Sequence, residues 1–224
     1  MLTENKFGKY IAYAVGEIIL VIIGILIALA INEQTKNKNN IELRDLYIIQ
    51  LNDEADRNIK ELNDYKNGAI EMIKELDTLH QLLVNKEYDN PKLLSKSIKL
   101  IGTNEFNPIM ITYENLKFSG DLKLFDDLNL RNSISETYET FNAIKRVEFI
   151  DHNGVSMYYE NYLMANARFM NMTKSTSNYG KDAYFENMVL ARMVTLKQNR
   201  DAYENSIESL NKLKITFAEL QNNN

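Results

Sequence analysis

Between Tyr10 and Ile31 the chain reads YIAYAVGEIILVIIGILIALAI, 22 residues in which Glu17 is the single charged side chain. A helix of that length rises about 33 Å at about 1.5 Å per residue, against a hydrocarbon core of about 30 Å. Tyr10 and Tyr13 fall where an interfacial aromatic belt sits, and Lys9 on one side and Asn32 with Glu33 on the other close the run. The sequence predicts one transmembrane helix over 10–32, after a short tail at 1–9. A cleaved signal sequence is the competing reading, because Ala28-Leu29-Ala30 has A-x-A spacing and Ile18 to Ile27 has the length of an h-region. Against it, Glu17 would set a carboxylate beside that h-region. The acids and bases ahead of it cancel, and the run is long for a cleaved signal.

Charge settles orientation weakly. Lys6 and Lys9 precede the helix, and Lys36, Lys38 and Arg44 follow it. A short N-terminal tail before a long C-terminal domain is the signal-anchor layout. The expectation is a single pass through the inner (cytoplasmic) membrane, N-terminus inside and the domain at 33–221 periplasmic, with 222–224 a frayed tail.

Glu17 lies about 10 Å into the span from Tyr10. A carboxylate at mid-bilayer costs about 2.5–3.5 kcal/mol, so an intramembrane acid is a candidate for function or assembly. A protonated carboxyl can donate a hydrogen bond to a neighbouring helix. Ala12, Gly16, Gly24 and Ala28 recur at multiples of four, broken by Leu20, and their small side chains permit close helix–helix approach. The plain alternative is a polar residue tolerated near the headgroups among small residues common to spanning helices.

Past the membrane run, composition favours helices. Only 2 Pro and 8 Gly occur, too few for a turn-rich sandwich or barrel. Leu51, Ala55, Ile59, Leu62, Ala69, Ile73, Leu76 and Leu83 follow helical spacing, which predicts an amphipathic helix to about Val84. Asn90-Pro91 and Asn107-Pro108 read as helix starts, and Gly102 and Gly120 as stops. Asp127 to about His152 repeats the period, Val155 to Met172 continues it, and Lys174 to Lys181 reads as a loop. Phe185 to Leu220 is the last helix, with a break expected near Asn199. The fold class is all-α: one N-terminal transmembrane helix followed by an antiparallel helical bundle of long helices.

Chemical signatures are sparse. The absence of Cys excludes disulfides and thiolate sites, and two His make a His-rich metal centre untenable. No catalytic residue, metal site or cofactor is predicted, and the chain is read as non-enzymatic. The net charge is −5, with no basic block, so nucleic acid is not an expected partner. Asp53-Glu54-Ala55-Asp56 spells a helicase motif, but no phosphate loop accompanies it, and a solvated helix face is the expectation. His80 falls on or beside an apolar face, and His152 sits in a turn-like Asp151-His152-Asn153-Gly154. Tyr158, Tyr162, Arg168 and Phe169, together with a Met-rich stretch that includes Met188, form a candidate groove for a partner or ligand. Core packing is the competing use of those residues.

The run from Glu4-Asn5-Lys6-Phe7 through Gly16-Glu17-Ile18-Ile19 and Gly24-Ile25-Leu26-Ile27-Ala28-Leu29 resembles a family of uncharacterised single-pass membrane proteins of Bacteroidota. A second likeness is Thr112-Tyr113-Glu114-Asn115-Leu116-Lys117-Phe118-Ser119-Gly120, before a long helix. The resemblance implies an anchored helical protein with its domain outside the cytoplasm. It marks Tyr113, Glu114, Leu116, Ser119 and Gly120 as family-like positions and implies no reaction. Family members carry a longer basic leader, so an upstream start is also expected. The functional expectation is an interaction or scaffold protein, a homo-oligomer or the accessory subunit of a partner membrane protein. An extracytoplasmic ligand sensor and a proton-coupled subunit using Glu17 are the alternatives.

Overall fold

A computed structural model describes residues 4–174 and 178–222, leaving aside the side chains of residues 4–7 and of Ala12. The Ala12 position of the small-residue row and most of the 222–224 tail therefore lie outside the described residues. The chain divides into two units, Met1–Ile48 and Ile49–Asn224.

Helix α1 is Glu4–Val84. In the first unit it contains a stretch long and apolar enough to cross a membrane, none of it buried within the protein. From Tyr10 to Ile31 the large apolar side chains are 46–77% exposed.

The second unit is a bundle built on three long helices: the later part of α1, α4 (Leu128–Gly154) and α6 (Ala183–Asn222). Each buries a seam on alternating steps of three and four residues. On α1, Ala55, Leu62, Ala69, Leu76 and Leu83 recur every seventh residue, all at 3% exposure or less. On α6 the buried sequence is Phe185, Val189, Arg192, Leu196, Asn199, Tyr203, Ser206, Leu210, Leu213 and Phe217. On α4 it is Leu130, Ile134, Thr137, Phe141, Ile144, Glu148 and Asp151. An apolar repeat of seven keeps one face of a slightly underwound helix against its neighbours, the geometry of coiled-coil packing. Each Leu buried on such a seam stabilises by about 1.5–3 kcal/mol.

Direction follows from pairing. Lys214 pairs with Asp56 and Glu204 with Lys66, so α6 runs against α1. Glu148 meets Tyr203 while Asp151 meets Arg192, so α6 also runs against α4. One core gathers Leu76, Leu79 and Leu83 of α1 with Phe185 and Val189 of α6. Shorter elements α2 (Lys92–Ser97) and α5 (Glu160–Asn166) add Leu93, Leu94 and Leu163 to it, while α3 (Ile111–Phe118) packs its Tyr113 on Tyr138 of α4.

Several boundaries differ from the sequence reading. At Asn153-Gly154, where the sequence allows either an end or a continuation, the helix continues: α4 passes through a π turn at Val155–Tyr159 into α5. The extra residue shifts the seam, and burial continues at Val155, Tyr159 and Leu163 in steps of four. The helix expected to Met172 ends at Asn166, where a two-residue antiparallel hairpin pairs Ala167 with Lys174 and Arg168 with Thr173. No break occurs at Asn199, which sits buried inside a continuous α6. Gly102 ends its helical segment in an extended conformation, φ −76°, rather than a left-handed one. Gly120 does take the left-handed stop, φ 75°. Asn107-Pro108 starts no helix, since α3 begins at Ile111. The reason lies in where the backbone of that segment is held.

Candidate functional site

Residues 102–110 form an irregular strap on the bundle, buried only at Phe106, and without a helix or sheet its peptide groups must find other partners. Helix side chains supply them. Glu148 of α4 accepts the Phe106 N–H at 3.0 and 3.2 Å. Asn58 of α1 accepts the Ile109 N–H at 2.9 Å and donates to the Ile109 carbonyl at 2.8 Å, replacing a two-sided backbone pairing. Arg192 of α6 donates to the Gly102 carbonyl, and the Tyr65 hydroxyl donates to that of Glu105 at 3.0 Å. Just beyond the strap, the Glu54 carboxylate accepts the Thr112 N–H at the start of α3 and the Tyr138 hydroxyl at 3.0 Å. With Phe106 and Ile109 held this way, a helix cannot begin at Pro108.

Glu54 corrects the solvated-face reading of the Asp-Glu-Ala-Asp run. It is 2% exposed and binds backbone and tyrosine, while Asp53 and Asp56 are exposed and paired with Arg57 and Lys214.

Two further acids are buried on the α4 seam. Asp151 pairs with Arg192, accepts the Thr195 hydroxyl at 2.7 Å and the Asn199 amide at 3.2 Å. Burial pulls the Arg192 guanidinium down to about 10. Glu148 is 7% exposed and accepts the Tyr203 hydroxyl at 2.6 Å. Burial holds its carboxyl above the usual range, opposed by the bonds from Tyr203 and Phe106. Glu105 and Glu61 are the charges that act on it, and both raise it further. Tyr203 is pushed up in turn, by burial first and then by Glu148.

The strap and α4 enclose a groove of about 600 Å³. Asn104, Glu105 and Phe106 line it on one side, and Phe141, Lys145, Glu148, Phe149 and His152 on the other. Those α4 residues share one helix face. The groove therefore combines three phenyl rings, ionisable groups of both signs and one desolvated carboxyl, the mixture typical of small-ligand sites. Among the described residues no group of three or more His, Cys, Asp or Glu is disposed to hold a metal ion.

The residues singled out from sequence scatter. In the first unit Glu17 is exposed and Gly16 half-exposed. A methyl group added at Gly16 or Gly24 would meet nothing within 4 Å. Tyr158, Arg168 and Phe169 are exposed, and no ring pairs with Tyr158 or Phe169 among the described residues. Tyr162 is half-buried; its hydroxyl donates to Asp182 at 2.6 Å and its ring packs on Tyr179, Tyr184 and Phe185. Met188, at 4% exposure, is turned into the core and offers no surface to a groove. Tyr113 stacks on Tyr138 with centroids 4.2 Å apart, and Leu116 is buried beside it; Glu114, Ser119 and Gly120 remain exposed. His80 is half-buried and His152 exposed at the groove.

Sequence reading missed the groove, Glu54, Glu148 and the Asp151–Arg192 pair. The available signal was the seven-residue repeat on α6, which places Arg192, Asn199 and Ser206 on a seam that should be apolar. Compared with protein families, with curated proteins and with solved structures, the chain matches none.

Proposed function

We propose that this is a single-pass membrane-anchored interaction protein of the Bacteroidota type it resembles, with residues 10–32 in the inner membrane and the bundle on the periplasmic side. On this reading it is not an enzyme; it assembles with a second copy or with a partner membrane protein. The observation that carries the reading is the apolar helix from Tyr10 to Ile31, whose large apolar side chains are all exposed, with a lone carboxyl at Glu17. A bilayer covers such a surface, and a second helix supplies the partner that a carboxyl in hydrocarbon requires. Gly16 and Gly24 leave room for that helix. Glu17→Gln and Gly24→Leu test the reading in the full chain. Loss of a defined complex with the bundle's circular dichroism unchanged is expected; an unaltered complex mass in both variants overturns it.

A second reading, an extracytoplasmic sensor of a small ligand, is favoured by one observation, the groove beside the strap. Ligand binding there would bias how the strap sits on α4, a two-state element of the kind that transmits binding. A partner membrane protein would carry the signal inward.

A further inference from the structure

The groove beside the strap holds charges of both signs apart. Glu105, Lys145, Glu148 and His152 all line it, and among the described residues none of the four takes part in an ion pair within 4.0 Å. On α4, Lys145 precedes Glu148 by three residues, a rise of about 4.5 Å along the helix. The two point into one groove from neighbouring turns without neutralising each other. Glu148 is already desolvated and is oriented by the Phe106 N–H and the Tyr203 hydroxyl, and Glu105 on the facing strap adds a second acid to the same groove. A cation arriving from outside would find a preorganised carboxylate, the setting in which charge-assisted hydrogen bonds are strongest. Phe106 and Phe141 are buried behind it, while Phe149, on the same wall, is 65% exposed. That ring offers an uncovered apolar face at the mouth. A volume of about 600 Å³ lies within the range of about 300–1,000 Å³ occupied by small-molecule sites.

We propose that this groove binds a small zwitterion with an apolar side chain, the chemistry of an aromatic or aliphatic α-amino acid or its dipeptide. The ammonium sits at Glu148 and Glu105, the carboxylate at Lys145, and the side chain against Phe141 and Phe149. The proposal rests on the sensing reading and names its ligand; it does not depend on the membrane anchor.

The test is titration calorimetry on the full chain in detergent with three probes: phenylalanine, phenethylamine, which lacks the carboxylate, and hydrocinnamate, which lacks the amine. Phenylalanine is expected to bind at least tenfold more tightly than either half, because each half leaves one groove charge unanswered. Equal affinity of one half, or no heat from phenylalanine or a phenylalanine dipeptide at millimolar concentration, overturns the proposal. Location is tested by Asn142→Trp, an exposed wall position that fills the groove, and by Lys145→Met, also exposed. Both should weaken phenylalanine binding tenfold or more, and unchanged affinity in both overturns the site. Stabilisation of the chain by an unrelated ligand, with phenylalanine inert, removes the zwitterion and leaves the sensing reading standing.

Discussion

The Arg192 guanidinium donates to the Asp151 carboxylate across the interface of α6 and α4, with both side chains at 2% exposure or less. Both sit on heptad seams: Arg192 lies between Val189 and Leu196 on α6, and Asp151 between Glu148 and Val155 on α4. Burying two charges costs several kcal/mol each, and their attraction repays this only when the remaining hydrogen bonds are also made. Here Thr195 and Asn199 complete Asp151, and the Gly102 carbonyl takes a second guanidinium N–H, while the buried Arg192 Nε has no hydrogen-bond partner. The pair ties two long helices and the start of the strap to one register.

Arg192→Met should therefore cost about 3–5 kcal/mol, because it leaves Asp151 buried without a cation. The double variant Arg192→Met/Asp151→Leu should recover most of that loss, since two apolar groups restore a uniform seam. Urea unfolding of both, followed by far-UV circular dichroism in detergent, measures the difference. A double variant no better than the single one would contradict this account of the pair.

Glu148 gives the bundle an inverted acid response. Its carboxyl is held above the usual value of 4.5 by burial, so the folded chain takes up this proton at a higher pH than the unfolded chain does. That contribution is complete below the unfolded value and is lost as pH rises through the folded one. Urea midpoints should show a descending limb starting near the ordinary carboxyl range. Glu148→Gln should flatten that limb while lowering stability overall, because its amide N–H₂ opposes the Phe106 N–H. A limb that persists in the variant assigns the titration elsewhere.

Asn58→Ala removes both hydrogen bonds to Ile109, from a seam position on α1. A loss of about 2 kcal/mol is expected from two peptide groups left without partners. The effect should be local first: amide exchange at Phe106, Ile109 and Thr112 accelerates before exchange at Leu62 or Tyr203. Uniform acceleration across the bundle would show that the strap has no stability of its own to lose.

Two glycines separate backbone strain from packing. Gly120 and Gly180 both have positive φ, 75° and 78°, so alanine at either costs about 1–2 kcal/mol. At Gly120 an added methyl meets nothing, whereas at Gly180 it lies 3.0 Å from the Leu93 Cδ2. Gly180→Ala should be the more damaging of the two, and equal melting temperatures would refute the packing difference.

Much of the fold was legible because apolar side chains at steps of three and four reveal a helix without any partner in view. The end of α1 at Val84 and the capping of α4 by Asp127, which accepts the Asn129 N–H at 2.8 Å, are local events written in local residues. Asn199 misled for the opposite reason. It is polar on a buried seam, and its partner Asp151 lies 48 residues away, so nothing nearby marks it as core rather than as a break. The same holds for Asn107-Pro108, a sound local start signal overridden when Glu148 and Asn58 capture the backbone on either side of it. The groove was invisible because its two walls, the strap and α4, meet only in the folded chain. Glu54 was hidden among acids, where one of three turns inward.

Native mass spectrometry of the full-length protein, extracted gently from its host membrane, tests the central claim most directly, since one spectrum reports both the N-terminus and the partners. The account predicts a defined oligomer or hetero-complex with residues 10–32 still attached. A monomer whose chain begins at Ile31 would contradict it, because the apolar helix would then have been a cleaved signal and Glu17 no part of the working protein.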